Sequence, residues 1–419
     1  MEKINRPRGT VDVLPSQIPV WRRMEETARG LCRHFHVQEL RTPIFEHTEL
    51  FMRGVGDTTD IVEKEMYTFN DKGGRSITLR PEGTAGMARA ILENKLYAEP
   101  LPLKLSYIGP MFRYERPGAG RVRQHHQFGI EVVGSESPAV DVEVASMAMR
   151  FYEEIGATDL TLVVNSVGCP TCRPQYRQRM LDYLQPRLVH MCEDCNRRAE
   201  RNPLRILDCK QSACQAELVG APSVLDCLCG ECRTHFDKVV RGLQTLGIPV
   251  EVDASLVRGL DYYTRTVFEI MHGPAGSRTT VSGGGRYNGL FAQLGGPDLS
   301  GVGFGAGLER AILLLEQCGV TVEEAKGGID AFVIPLGEDA EFACLPLIDT
   351  LRRQGLAVER DFAGSGLKSA LKRASRLGAR YALLLGEAEL ATGQVQVKDL
   401  VNGTQENLTP EQFINSLER

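Results

Sequence analysis

Arg113, Glu115, Gln127 and Glu131 fall at alternate positions of two strand-like runs, Met111–Glu115 and Gln127–Gly134. A Pro-Gly-Ala-Gly loop (117–120) joins them, with Arg116, Arg121 and Arg123 around it. Side chains two apart on a strand share a face. Arg113 and Glu115 are therefore expected to project together, as are Gln127, Gly129 and Glu131. Guanidinium, carboxylate and amide on one face are not what core packing selects. The alternative to a binding site is a solvated hairpin face laced with salt bridges.

Three further segments concentrate polar chemistry beside glycine. Leu256–Thr266 packs Arg258, Asp261, Tyr262 and Tyr263 together, and Ser282–Gly289 holds three successive glycines. Gly301–Arg310 alternates glycines before an apolar helix, Ala311–Glu316. Alternate glycines suggest a dinucleotide loop only between a strand and a helix of a βαβ unit. The preceding Gly-Gly-Pro-Asp-Leu-Ser does not read as a strand, so that reading is set aside. The P-loop pattern Gly-x4-Gly-Lys-Ser/Thr is absent.

The elements that must position these groups divide into two kinds. Up to residue 325, strand patterns (76–80, 105–109, 111–115, 127–134, 160–165, 266–271) are flanked by helical ones (18–36, 81–94, 139–155). Short strands joined by turns with flanking helices predict an α+β domain built on an antiparallel sheet. A cysteine-rich insertion at about 166–240 interrupts it. After a Gly-containing joint at 325–328, residues 329–419 alternate strand and helix (329–335, 340–354, 356–359, 367–377, 381–386, 394–398, 413–417). That pattern predicts a small α/β domain with a mainly parallel sheet.

Composition excludes several classes. The chain has 419 residues, 42% hydrophobic and 25% charged, which is ordinary for globular domains. No apolar run approaches the ~20 residues that span a bilayer, and Met1–Arg8 has no apolar stretch resembling a secretion signal. A net charge of −5 means that any nucleic-acid contact must use local basic patches. One such patch stands out: Lys368, Lys372, Arg376 and Arg380 recur every four residues, with Arg373 beside them. The first three form a stripe on one helix face, read either as a phosphate-contacting surface or as a solvated face.

Taken together, these segments resemble the class II aminoacyl-tRNA synthetases, and among them the histidyl-tRNA synthetases. Arg41–Phe51 resembles the end of the dimer-forming motif 1, Arg113–Glu131 motif 2, and Gly303–Arg310 motif 3. Leu256–Tyr263 and Gly283–Leu290 resemble the two motifs peculiar to the histidine enzymes, and Pro7–Pro15 also matches. Asn288 stands where the family more often has Asp. The resemblance implies a homodimeric cytoplasmic ligase acting on L-histidine, ATP with Mg²⁺, and tRNA(His). It implies Arg113 and Arg258 as catalytic clamps on the carboxylate and α-phosphate. It places Glu115, Arg121 and Arg310 with them on ATP, and Glu82, Gly83, Thr84 and Gln127 around the histidine ammonium. Glu131 and Tyr262 or Tyr263 would read the imidazole. His125 and His126 read as surface or core residues, with a place facing the site as the alternative. Residues 329–419 would be the anticodon-binding domain. The rival reading is a non-catalytic regulatory paralogue of ATP phosphoribosyltransferase, although such paralogues lose the Arg-Gly-Leu-Asp-Tyr-Tyr residues and the C-terminal domain.

Nine of the twelve cysteines lie between Cys169 and Cys232. In a reducing compartment clustered cysteines suit metal ligation or free thiols better than disulfides. Cys169/Cys172, Cys192/Cys195, Cys209/Cys214 and Cys229/Cys232 form four pairs, enough for up to two tetrahedral zinc sites, with Cys227 left over. The pairing is open, and so is metal-free retention of the segment. Arg197, Arg198, Arg201 and Arg205 suggest that this segment could touch the acceptor arm of a tRNA.

Overall fold

The structure is a computed structural model that describes residues 3–56, 59–274, 277–321, 328–364 and 366–417. Residues 325–327 of the expected joint lie outside them. The chain separates into two compact units, Met1–Val322 and Glu323–Arg419.

The described residues of the first unit form eleven strands: β1 (Gln38–Glu39), β2 (Phe45–His47), β3 (Tyr67–Asn70), β4 (Ser76–Leu79), β5 (Leu103–Phe112), β6 (Gln124–Val133), β7 (Leu160–Ser166), β8 (Val250–Val252), β9 (Thr264–His272), β10 (Thr279–Arg286) and β11 (Gly301–Gly307). Eight of them form one sheet in the order β1-β5-β6-β11-β10-β9-β7-β8. Its interior pairings are antiparallel, and only the edge strands β1 and β8 pair in parallel. One face carries Phe128, Ile130, Val132, Val302, Phe304 and Ala306. It packs on the helices Ile18–His34, Pro138–Ile155, Gly230–Thr245 and Leu308–Gln317. The residues between them, Gln127, Gly129, Glu131, Gly303 and Gly305, turn to the opposite face, as the two-residue period demands.

Two expectations need correction. The runs 105–109 and 111–115 are one strand, β5, which passes through Pro110 and stops at Phe112. The amide of Phe112 bonds to Arg80 rather than to β6, so the N–H that Pro110 lacks would also face away from the β6 ladder. Arg113 and Glu115 therefore leave the strand end instead of sharing its face. The glycine-rich runs 282–286 and 301–307, absent from the expected strands, are central strands. Glycine is depleted in strands, which hid them. It is required here because neighbouring side chains fill the space: a Cβ at Gly303 would lie 2.0 Å from the Glu131 carboxylate, and one at Gly283 2.6 Å from the Arg258 guanidinium.

Arg286, from the same glycine-rich segment, is fully buried in an ion pair with buried Asp141, which ties β10 to the helix Pro138–Ile155. Between β7 and β8 the insertion is helical, with its own apolar core around Tyr176, Met180, Leu184 and Ile206.

The second unit contains β12 (Ala331–Pro335), β13 (Val358–Arg360), β14 (Tyr381–Leu385), β15 (Val395–Asp399) and β16 (Gln405–Leu408), in the order β13-β12-β14-β15-β16. The sheet is mixed, not mainly parallel: β12 runs parallel to β13 and β14, whereas β15 and β16 are antiparallel. The β15–β16 hairpin turns at Asn402-Gly403, with Gly403 at φ +74° and Asp399 holding the turn amides. Asn-Gly is a strong hairpin signal that the helix–strand alternation obscured. The expected helix 340–354 is two helices, Glu338–Ala343 and Leu345–Arg353, because Pro346 starts a helix rather than continuing one.

Candidate active site

The polar face of the large sheet and the N-terminal turn of the helix Thr84–Glu93 enclose a deep cavity of about 70 Å³. Glu82, Thr84, Arg113, Gln127, Glu131, Arg258, Tyr262 and Tyr263 line it, so the structure brings these expected residues together. Glu82 accepts the Thr84 and Ala85 amides at 2.8 and 2.7 Å, which caps the helix with a carboxylate where its dipole favours one. The Tyr262 hydroxyl donates to the same carboxylate at 3.4 Å. Gly83 meets the cavity through Tyr107: a Cβ there would sit 2.2 Å from the Tyr107 ring.

Glu131 is 1% exposed. Thr84 donates to one of its oxygens at 2.7 Å and Tyr287 to the other at 2.6 Å. Burial pushes its carboxyl up to about 8, and the Glu82 charge adds to this, while the two hydroxyl donors oppose it. Each carboxylate oxygen keeps a lone pair for a further donor.

Tyr107 and Tyr287 were missed by sequence reasoning. Tyr287 had a signal: Gly283, Gly285 and Tyr287 alternate, and alternate residues share a face.

Beside this recess lies a wider chamber of about 400 Å³, lined by Glu65, Arg113, Glu115, Arg121, His125, Arg258 and Arg310 among others. Arg121 sits on the tight turn that pairs it with Gly118. Arg310 occupies the first turn of the helix Leu308–Gln317 and donates to the Thr280 carbonyl at 3.2 Å. Burial depresses its guanidinium, and nearby Arg121 and Arg113 add like-charge repulsion. Such a crowd of cations is relieved by a polyanion.

The Glu65 carboxyl is raised, first by burial, although Arg113 opposes this. His125 takes the alternative place facing the site and lines the chamber. Burial and then Arg113 lower it to about 3, so it is neutral there. His126 does pack structurally, edge-on to Trp21 and bonded to Glu309 at 3.0 Å.

Arg113 and Arg258 line both compartments. The Arg113 Nε donates to the Pro81 carbonyl at 2.8 Å. Arg258 pairs with Glu269, whose other oxygen accepts the Thr280 hydroxyl at 2.7 Å. Glu269 was also missed, although a lone carboxylate inside Thr266-Val-Phe-Glu-Ile-Met was a visible anomaly.

The insertion's arginines do not form a free basic patch. Arg198 meets Asp60 at 3.3 Å, Arg201 meets Glu63 at 2.6 Å and Arg197 meets Asp194 at 2.6 Å. Arg205 donates to the Gly259 carbonyl at 3.2 Å. These contacts engage the four arginines within the chain, while the Arg197 and Arg201 side chains stay 46% and 56% exposed.

In the second unit, Lys368, Lys372 and Arg376 are exposed along the helix Leu367–Arg376, whose Ala370 and Ala374 are buried. Arg373 differs, because it pairs with Asp361. Arg380 lies beyond the helix, its guanidinium 5.0 Å from the Tyr381 ring centre.

Residues 9–311 match the family model described as histidyl-tRNA synthetase, and residues 330–419 that of an anticodon binding domain. The chain is 52% identical over 409 residues to the histidine–tRNA ligase of Desulforamulus reducens, covering 98% of this chain and 97% of the relative. It is 50% identical over 414 residues to that of Anoxybacillus flavithermus, covering 98% of each. The crystal structure of the apo histidyl-tRNA synthetase of S. aureus superposes over 100% of both chains, with a TM-score of 0.81 and 38% identity. With the family model spanning most of its length and relatives matched nearly end to end, the chain belongs to the histidyl-tRNA synthetase family.

Proposed function

We propose that this chain is a histidine–tRNA ligase. It joins L-histidine to the α-phosphate of Mg²⁺-ATP, releases pyrophosphate, and passes the histidyl group to the 3′ end of tRNA(His). The observation that carries the reading is the pair of joined compartments, a carboxylate-and-hydroxyl recess and an arginine-lined chamber, with Arg113 and Arg258 common to both. A carboxylate held in the recess meets an α-phosphate held in the chamber at that shared wall.

The chemistry is in-line phosphoryl transfer, helped chiefly by positioning and by offsetting negative charge. Arg113 and Arg258 supply guanidinium forks to both oxyanions. Arg121 and Arg310 hold the β- and γ-phosphates, with Glu115 in the same chamber. Glu82, Gly83, Thr84 and Gln127 receive the ammonium. Glu131 takes one imidazole N–H and a hydroxyl of Tyr262 or Tyr263 partners the other ring nitrogen. A site of buried hydrogen-bonding groups rejects analogues that leave those groups unpaired. The regulatory-paralogue reading is less supported, since the arginines line one site and the relatives matched over the full length are ligases.

Three features extend the reading. Exposed Ile44, Phe45, Met52 and Phe69 lie at or on the three-stranded β2-β4-β3 sheet and the helix Thr48–Val55 that follows β2, which supports homodimerisation through the motif 1 face. No helix among the described residues is long and apolar enough to cross a membrane, and the cytoplasm is the compartment this activity calls for. Zinc is the structural ion that eight of the insertion's thiols suit.

ATP–pyrophosphate exchange assayed against the twenty amino acids should respond to histidine alone. Exchange equal with several amino acids, or none with histidine, would remove the reading.

An imidazole N–H donor favours the ionised form of Glu131 in the histidine complex, so Glu131→Gln should weaken histidine binding by about 10–100-fold, the roughly 1.5–3 kcal/mol of a charge-assisted bond, and leave ATP affinity unchanged. The same change should alter stability in the opposite sense. The folded carboxyl titrates near 8 against ~4.3 when unfolded. Between those values the folded chain holds a proton that the unfolded chain releases, so stability falls as pH rises through the window. Glutamine removes that slope, and ligand-free thermal melts of the variant from pH 5 to 8 should be flatter than those of the parent. Equal losses for both substrates would move Glu131 out of the histidine recess.

A further inference from the structure

Eight cysteines of the insertion gather into two quartets, Cys169/Cys172/Cys229/Cys232 and Cys192/Cys195/Cys209/Cys214, with the sulfurs of each quartet within 4.8 Å of one another. We infer that these quartets hold two structural zinc ions, one nested inside the other along the chain. The inner ion fixes the wall that the insertion contributes beside the phosphate chamber, a task that rests on the ligase reading of that chamber.

Distances separate this from the other fates of clustered thiols. Neighbouring sulfurs lie 3.6 Å apart for Cys169–Cys172 and 3.9 Å apart for Cys169–Cys229 and Cys192–Cys209. Four Zn–S bonds of ~2.3 Å place sulfurs ~3.8 Å apart on a tetrahedron's edge, whereas a disulfide needs ~2.05 Å. Each quartet also receives a backbone donor: the Cys229 amide reaches the Cys172 sulfur at 3.1 Å, and the Cys192 amide reaches Cys214 at 3.2 Å. Such N–H···S bonds are the outer contacts that hold metal thiolates in place. Cys227 stands apart, with Arg179 3.5 Å from its sulfur.

The nesting gives each ion a task. The outer quartet joins the chain leaving β7 to the start of the helix Gly230–Thr245, closing the insertion at its base. The inner quartet brackets residues 196–208 between Cys195 and Cys209. Within that bracket Arg198, Arg201, Asn202 and Arg205 dock on Asp60, Glu63, Asp261 and the Gly259 carbonyl. Leu207, Asp208 and Lys210 then face a cavity of about 760 Å³ shared with Arg121, Arg258 and Arg310. A small helical module with a core this limited gains most from a metal staple.

The test uses the full-length chain purified without chelator. Elemental analysis should find about two zinc per chain. Cys172→Ser and Cys195→Ser should each leave about one. Cobalt exchanged into the wild-type chain should show the visible bands of tetrahedral tetrathiolate cobalt at two equivalents, which decides the matter even if the variants do not fold. In the Cys195→Ser chain the KM for ATP in pyrophosphate exchange should rise several-fold while that for histidine moves less.

Well under one zinc per chain, with the eight thiols freely reactive and no tetrathiolate cobalt spectrum, would overturn the metal sites even if exchange is normal. One zinc per chain in the parent would overturn the second site. Two zinc with an unchanged KM for ATP in Cys195→Ser would overturn the inner ion's task. Two zinc in a chain without histidine-dependent exchange would leave the metal sites standing and remove the ligase reading instead.

Discussion

Arg258→Ala is expected to lower histidine-dependent ATP–pyrophosphate exchange by about 10²–10³, the roughly 3–4 kcal/mol typical of losing one preorganised partner of transition-state charge. The expectation rests on the position of Arg258 at the wall common to both compartments. It carries a complication that the sequence did not show. Arg258 neutralises Glu269, whose side chain is only 12% exposed, and removing one partner of a buried pair costs ~3–5 kcal/mol of stability. Part of any loss could then be unfolding. The pair of variants Arg258→Ala and Arg258→Ala/Glu269→Gln separates the two effects. The second should recover much of the melting temperature and none of the exchange. Exchange within about threefold of the parent in a folded Arg258→Ala chain, a barrier change under ~1 kcal/mol, would take Arg258 out of the clamp.

The second large effect is expected from the other unit. A chain shortened to end at Lys326 should keep histidine-dependent pyrophosphate exchange and lose most tRNA charging. The recess and chamber are built wholly from the first unit, while residues 330–419 match an anticodon binding domain. The subtler version acts on the exposed stripe. Reversing Lys372 and Arg376 to Glu should raise the KM for tRNA, weaken its salt dependence because phosphate contacts are lost, and leave the KM for histidine unchanged. Lys368 lies on the same stripe. Arg373 is the contrasting control, since its guanidinium is engaged with Asp361 and its loss should register as instability. If the shortened chain charged tRNA as well as the parent, the anticodon role of the second unit would be wrong.

Residue chemistry was readable wherever a polar group stood out from its local pattern. Gln127 and Glu131 were visible as amide and carboxylate in a strand run, and Arg113, Arg121, Arg258 and Arg310 as charges beside glycine-rich segments. Tyr287 and Glu269 showed only as local anomalies and Tyr107 not at all, because each acts through a neighbour on another strand or element. Tyr287 matters only because β10 and β6 both flank β11 and so turn its hydroxyl onto Glu131. Tyr107 matters only because Gly83 and Gly129 leave space for its ring. The glycine runs 282–286 and 301–307 carried no strand pattern on local propensity. Ladder pairing makes them strands, and Gly283 and Gly303 must be glycine because the Arg258 and Glu131 side chains claim the volume above them, a demand that exists only once the sheet has assembled.

The cysteines draw the same boundary. Sequence alone determined that thiols come in closely spaced pairs and that their number would suffice for two tetrahedral sites. It could not determine which pair joins which, since a spacing of two residues constrains only the pair itself. The tertiary fold matched the first pair with the last and the second with the third, because the chain leaves the sheet at β7 and returns at β8 and so brings the insertion's two ends together. Sequence determined the kinds of groups and their local spacing, which covalent geometry enforces. Only the tertiary structure decided which groups meet, because that depends on strand register and chain reversal between residues far apart in sequence.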